Sequence, residues 1–173
     1  FGVRSKPTTR FSYATFLGSA VPGTPLHIPL FTFPPTSHIE RIESLLAAVQ
    51  DQYGLSDIYL YRSGTGISAI CLRTFPLRRL EKIIRASGST NYGTLVKYKQ
   101  LFFRVGTVRH ENQELMSGPP EFVKTLRASE ENNIRFVSMP HYYFMRDFFP
   151  GIREYPRMQG KGTITLTHTV NDE

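Results

Sequence analysis

The chain has 173 residues, the length of one ordinary domain, since domains contain about 100 to 200 residues. With 40% hydrophobic and 20% charged residues, its composition excludes a disordered or collagen-like protein. No apolar run is long enough to cross a membrane, and residues 1–6 lack the apolar core of a secretory signal. A single cysteine, Cys71, excludes an internal disulfide and a cysteine-based zinc site. We therefore expect a soluble intracellular protein, cytoplasmic or nuclear, because these compartments keep thiols reduced.

Positive charge is concentrated in the middle of the chain. The whole sequence has 21 lysines and arginines against 14 acids, a net charge of +7. Residues 73–109 contain nine basic residues and one acid, Glu81, and so carry +8, which leaves −1 for the rest of the chain. Concentrated positive charge attracts polyanions and gains affinity by releasing counterions from phosphates. We therefore predict a nucleic-acid site here, the alternative being a solvated basic face that keeps the protein soluble.

Aromatic residues lie among these basic residues and can stack on unpaired bases. Tyr92 and Tyr98 are the expected stacking residues, whereas Phe102 and Phe103 fit either stacking or the core. The basic residues are expected to contact phosphates, first from one helix and then from the loop and strand after it. The predicted nucleic-acid site consists of Arg73, Arg78, Arg79, Lys82, Arg85, Tyr92, Lys97, Tyr98, Lys99, Arg104 and Arg109.

The first third of the chain predicts an arm, a strand and a helix. Residues 1–25 are basic and end in Pro-Gly-Thr-Pro, which indicates an N-terminal arm. Residues 26–33 alternate apolar side chains and predict a strand, in which a proline marks an edge or a bulge. Apolar residues at helical spacing then predict a helix from a cap at Thr36 or Ser37 to about Tyr53, with Gly54 as its stop.

The middle of the chain predicts a hairpin, a second helix and another strand. Residues 57–62 and 67–73 flank Ser-Gly-Thr-Gly and are expected to form two antiparallel strands joined by that turn. The second helix has Thr74 as its expected cap, places its leucines and isoleucines inward, and stops near Gly88. Residues 87–94 follow as a polar loop, and residues 101–108 as a strand.

These elements predict an α+β fold. The order strand, helix, strand, strand, helix, strand over residues 26–109 is that of the ferredoxin-like unit, an antiparallel sheet with helices on one face. We expect a single domain over residues 26–173, in which residues 110–173 form an α/β extension. In that extension, the sequence predicts a helix from Pro119-Pro120 to about Ala128 and strands at 134–138 and 163–170.

No local motif indicates catalysis or a metal. The five histidines lack the HxH and HExxH spacings of metal sites, and His168 is expected in the core, so no cofactor is predicted. Tyr142 and Tyr143, near His141 and Asp147, would fit a DNA-nicking tyrosine only beside a histidine pair, which the sequence lacks. Residues 141–149 therefore predict core packing or a partner-facing surface.

Between Asp57 and His110 the layout resembles the core of archaeo-eukaryotic primases and primase-polymerases. The matching pieces are the turn Ser63-Gly64-Thr65-Gly66 and the strand Leu101-Phe-Phe-Arg-Val-Gly106. The family's metal-binding acids would fall in residues 27–33, which contain none, and Ser68 stands where the family's histidine would fall. The resemblance implies a catalytically silent relative, because two-metal nucleotidyl transfer would lack its ligands.

The leading prediction is a non-enzymatic domain that binds DNA or RNA by phosphate contacts from residues 73–109. One alternative is a structural or protein-interaction module, for example a viral protein, that self-associates or binds an acidic partner. Another is a nucleic-acid enzyme, primase-like or nicking, whose site is dispersed in sequence.

Overall fold

The computed structural model describes residues 15–64, 66–105, 109–110, 113–114, 120–133 and 137–149. Within these residues the chain has an α+β fold with antiparallel strands, which confirms the predicted class. The predicted strand at 163–170, His168 and the first part of the N-terminal arm lie outside the described residues.

Strands and helices follow one another along the described chain. The strands are β1 (Thr15–Gly18), β2 (Leu26–His27), β3 (Leu30–Phe33), β4 (Ile58–Ser63), β5 (Gly66–Cys71), β6 (Phe75–Pro76), β7 (Phe102–Val105), β8 (Arg109–His110), β9 (Gln113–Glu114) and β10 (Glu121–Leu126). The helices are α1 (Ile39–Tyr53), α2 (Leu77–Ser87), α3 (Tyr92–Tyr98), α4 (Glu130–Asn133) and α5 (Met139–Phe148).

A four-stranded antiparallel sheet in the order β10-β4-β5-β3 forms the centre of the fold. Four successive residues of β4, from Ile58 to Tyr61, are buried, so both faces of this strand are covered. Tyr61 contacts Phe149, just after α5, with the ring centres 4.9 Å apart. This face is therefore filled by protein around Tyr61, and does not offer a free surface there.

The predicted ferredoxin-like sheet is not confirmed. Its first three strands do lie in one sheet, with β3 beside β5 and β5 beside β4. The strand predicted at 101–108 appears as β7, but it pairs with β1 in a separate two-stranded sheet. β1 itself lies inside the segment predicted as an arm, so residues 15–18 are part of the fold.

Two other sequence predictions are wrong. The helix expected from Pro119-Pro120 to Ala128 is the strand β10, which pairs along β4 from Arg62 to Ile58. Local proline signals favoured a helix, but the free edge of β4 supplies backbone partners that a local pattern does not reveal. The polar loop predicted at 87–94 also ends early, because α3 begins at Tyr92.

The helix ends were predicted better than the helix starts. α1 and α2 both stop at a left-handed glycine, Gly54 and Gly88, as expected. The predicted caps are wrong, because α1 begins after His38 and α2 after Pro76, and neither N-cap position makes a side-chain cap hydrogen bond. Pro29 separates β2 from β3, which agrees with the interruption expected in that strand.

Candidate nucleic-acid interface

Helix α2 places apolar and basic residues on opposite sides. Leu80, Ile83 and Ile84 are fully buried against the core. Three basic residues spaced by four and three positions, Arg78, Lys82 and Arg85, are exposed. This spacing aligns the three charges along the side of the helix that faces away from the core. The predicted helical charge surface therefore exists as a solvent-facing row.

The charges of this row have no acidic partner among the described residues. The ion pairs in that part of the chain join Lys124 to Glu43, Arg127 to Asp57 and Arg146 to Asp147, all away from α2. Lys97 and Lys99, at the end of α3, are also exposed and form no ion pair there. We call these five residues the basic face: Arg78, Lys82, Arg85, Lys97 and Lys99.

A contact between Arg85 and Tyr92 joins the two helices of the basic face. The guanidinium carbon of Arg85 lies 5.6 Å from the centre of the Tyr92 ring. Lys97 follows Tyr92 by five residues, or about 7.5 Å of helix axis. Lys97 therefore lies less than two helical turns from the residue that contacts Arg85.

Arg73 and Arg79, which the sequence assigned to the same site, instead contact the end of α1. Nη1 of Arg73, a half-buried residue, donates to the carbonyl oxygen of Gly54, and its guanidinium lies 5.1 Å from the Phe75 ring centre. Arg79 is exposed, but its guanidinium lies 5.2 Å from the Tyr53 ring centre, and Nη2 donates to the Tyr53 carbonyl at 3.5 Å. Positive side chains at the carboxyl end of a helix stabilise its dipole. The structure therefore gives these two arginines contacts within the fold.

The loop between α2 and α3 forms hydrogen bonds with the edge of β3. The Thr32 backbone NH donates to Ser89 Oγ at 2.8 Å, and Asn91 Nδ2 donates to the Leu30 carbonyl at 2.9 Å. Both loop side chains are buried. Ser89 and Asn91 therefore use their polar side-chain groups on the edge of the sheet.

The aromatic residues near the basic face differ in exposure. Tyr98 is 58% exposed, and Nζ of Lys97 lies 5.2 Å from its ring centre. Phe102 is 42% exposed. Phe103 is buried in the core. Tyr92 is half-buried and contacts Arg85. Arg104 lies on β7 and Arg109 on β8, and their side chains lie outside the described residues.

Two serine-histidine pairs, which the sequence did not reveal, lie beside β1. Ser19 Oγ is 3.0 Å from His27 Nδ1, and Ser138 Oγ is 2.5 Å from His141 Nδ1. Burial lowers the pKa of both histidines. Ser19 and Ser138 are completely buried, so neither hydroxyl can reach a substrate as a nucleophile. The pairs belong to the interior, and only long-range packing brings them together.

Other candidate chemistry is also explained by the fold. Tyr142 is buried in α5 together with Met145, which agrees with the core role expected for part of this segment, while Tyr143 is 46% exposed. Ser63 and Gly66 face each other in the β4–β5 hairpin, so the glycine-rich motif serves as a turn.

Within the described ranges, no three histidine, cysteine, aspartate or glutamate side chains are placed to hold a metal. No helix there is long and apolar enough to cross a membrane.

Comparisons with protein-family models, with curated proteins and with solved structures gave no match to this chain.

Proposed function

We propose that this protein is a non-enzymatic nucleic-acid-binding domain that holds the phosphate backbone of DNA or RNA on the basic face. The observation that carries the proposal is the exposed row of Arg78, Lys82 and Arg85, which has no ion pair within the described ranges and which the Arg85–Tyr92 contact joins to α3. We infer that the elements from β3 to α2, which follow the ferredoxin-like order, are the scaffold of this surface. The primase-like resemblance is proposed only as a relationship of fold, without catalysis.

Physical chemistry supports a phosphate ligand over a neutral one. Like charges at positions i and i+4 of a helix repel and lower its stability by a few tenths of a kcal/mol. Arg78 and Lys82 have this spacing on α2, and neither forms an ion pair within the described residues. Glu81, three residues after Arg78 and four before Arg85, offsets part of the repulsion. A polyanion relieves the repulsion and releases counterions when it binds, so affinity must fall steeply with salt. Phosphate contacts alone carry no sequence preference.

The test is a fluorescence anisotropy titration with single-stranded and double-stranded oligonucleotides over a range of salt concentrations. The double variant R78Q/K82Q removes two charges from the basic face. The control R62Q/K124Q removes two charges from exposed residues of β4 and β10. These strands lie away from β3, the strand of the central sheet that α2 contacts. Both variants have the same net charge.

We expect tight binding by the wild-type protein and by the control. For R78Q/K82Q, the slope of log affinity against log salt is expected to decrease by about two, because each phosphate contact contributes a little less than one. Equal binding by the two variants would show that net charge alone acts, and would overturn the proposed surface. Absence of binding to every oligonucleotide by the wild-type protein would overturn the function itself, and would favour an acidic protein as the partner.

A further inference from the structure

A shallow cleft of about 330 Å³ lies beside the segment that connects α3 to β7. Its walls come from β1 and the turn after it, from the segment at Gln100, and from the start of α5. Residues that line it include Leu17, Gly18, Gln100, Pro140, His141 and Phe144. Ligand pockets generally enclose about 300 to 1,000 Å³, so this cleft has room for one small group.

Hydrogen bonds between the walls fix the shape of the cleft. Nε2 of His141 is 2.7 Å from the carbonyl oxygen of Gly18, which joins α5 to β1. The backbone NH of Ser19 donates to the Leu101 carbonyl at 2.9 Å, and Leu101 NH donates to Ser19 Oγ at 3.0 Å. The segment that carries Gln100 is thus tied to β1. A cleft held in this way is formed before a ligand arrives, which reduces the entropy cost of binding.

One side-chain amide provides the polar group of the cleft. Gln100 is half-exposed, and its side chain has no hydrogen bond to the described residues. Its Nε2 would lie 2.8 Å from a Cβ built on Gly18, so the amide occupies space that the missing side chain leaves open. His141 offers no free nitrogen, because Nδ1 faces Ser138 and Nε2 faces Gly18. A carboxamide among apolar and aromatic walls suits a flat group with hydrogen-bonding edges.

The charges beside the cleft determine the class of ligand. Lys97 and Lys99 precede Gln100 by three residues and one residue, and both are exposed and without an ion pair in the described part of the chain. Tyr98 and Phe102, on either side of Gln100 in the sequence, are exposed rings. Bases of single-stranded nucleic acids stack on such rings while cations hold the backbone. Two lysines and two exposed aromatic rings thus lie within six consecutive residues, 97–102.

We propose that this cleft receives one unpaired base of a single strand whose backbone lies on the basic face, with Gln100 contacting the edge of the base. The inference depends on the proposed function and makes it more specific, because a purely phosphate-binding surface would not distinguish single strands from duplexes by their bases. A duplex keeps its bases stacked and paired, so its bases cannot enter the cleft. Gln100 and the cleft walls are therefore the specificity determinants for single strands.

The experiment compares oligothymidylate, an abasic chain with the same number of phosphates, and a duplex. Anisotropy titrations use the wild-type protein, Q100A and Q52A, the last of which removes an exposed amide from α1 as a matched control. We expect the wild-type protein and Q52A to bind oligothymidylate about tenfold more tightly than the abasic chain. Q100A is expected to lose most of this preference, while its affinity for the duplex and its salt dependence stay unchanged.

Each outcome separates the two proposals. Equal wild-type affinity for oligothymidylate and the abasic chain overturns the base site but leaves phosphate binding on the basic face intact. A base preference that Q100A retains in full overturns the assignment of this cleft. If the wild-type protein binds none of the three probes, the proposed function fails and the base site fails with it. Circular dichroism of Q100A confirms that the variant is folded.

Discussion

Arg85 and Tyr92 form a cation-π contact across the junction of α2 and α3, with 5.6 Å between the guanidinium carbon and the ring centre. Arg85 is exposed, while Tyr92 is half-buried and packs against the core. One side chain thus contributes a charge to the basic face and also contacts the first residue of α3, the helix that contains Lys97. The basic face depends on this contact for its shape as well as for a charge.

Replacing Arg85 with Ala is therefore expected to lower the free energy of unfolding by about 0.5–1 kcal/mol, the usual value of an exposed cation-π contact. The substitution Y92L keeps an apolar group in place and should remove the same interaction. Urea unfolding of both single variants and the double variant measures the coupling in a double-mutant cycle. R78A is the control, because exposed helical positions without such a contact change stability by less than about 0.5 kcal/mol. Strictly additive effects of R85A and Y92L would contradict the coupling.

The charged side of α2 could be predicted because the necessary pattern is local. Leu80, Ile83 and Ile84 repeat at helical spacing, which determines the inward side and leaves Arg78 and Lys82 outside. The buried and exposed residues of the structure follow this pattern. Lys97 and Lys99 are also residues of the predicted site, although the sequence predicted a loop over residues 87–94 and no helix between that loop and the strand at 101.

The roles of Arg73 and the 89–91 loop could not be predicted, because their partners are distant in sequence. Arg73 has the same charge as Arg78, yet it donates to Gly54, which precedes it by 19 residues. Ser89 pairs with Thr32, 57 residues away. Charge and composition place such residues near a site, but only the folded chain shows that their hydrogen-bonding groups are already used.

Asn91 protects the open edge of the central sheet, so we expect its loss to affect both stability and association. N91A leaves the Leu30 carbonyl without its 2.9 Å amide donor, at an expected cost of about 1–3 kcal/mol. An unpaired strand edge also invites pairing with another chain. Urea unfolding and light scattering test the two effects. Q52A, at an exposed position of α1, should change stability by less than about 0.5 kcal/mol, and an equal loss in both variants would contradict the edge role.

The two buried histidines predict lower stability in mild acid. Burial lowers the pKa of His27 and His141 below 6.5, so the unfolded chain binds protons that the folded chain resists. Above about pH 6.5 both histidines are neutral in the folded and unfolded chain, and the free energy of unfolding should have its full value. As the pH falls from there towards the lowered pKa of the folded protein, the free energy of unfolding should decrease. Urea unfolding at several pH values should show a weaker pH dependence for H141Q than for the wild-type protein. H38Q, at an exposed position, controls for the substitution itself.

Two glycine substitutions are expected to change stability in opposite directions. Gly66 has a φ of +145°, and a Cβ there would lie 2.4 Å from the backbone oxygen of Phe33. Because that backbone belongs to the paired strand β3, it cannot move aside without disturbing the sheet, so G66A should cost about 1–3 kcal/mol or more. Gly93 lies within α3, and a Cβ there would meet nothing within 4 Å. G93A should therefore stabilise the protein by up to about 1 kcal/mol through helix propensity. Thermal or urea unfolding of both variants gives the two signs, and a neutral G66A would contradict the close approach of Phe33.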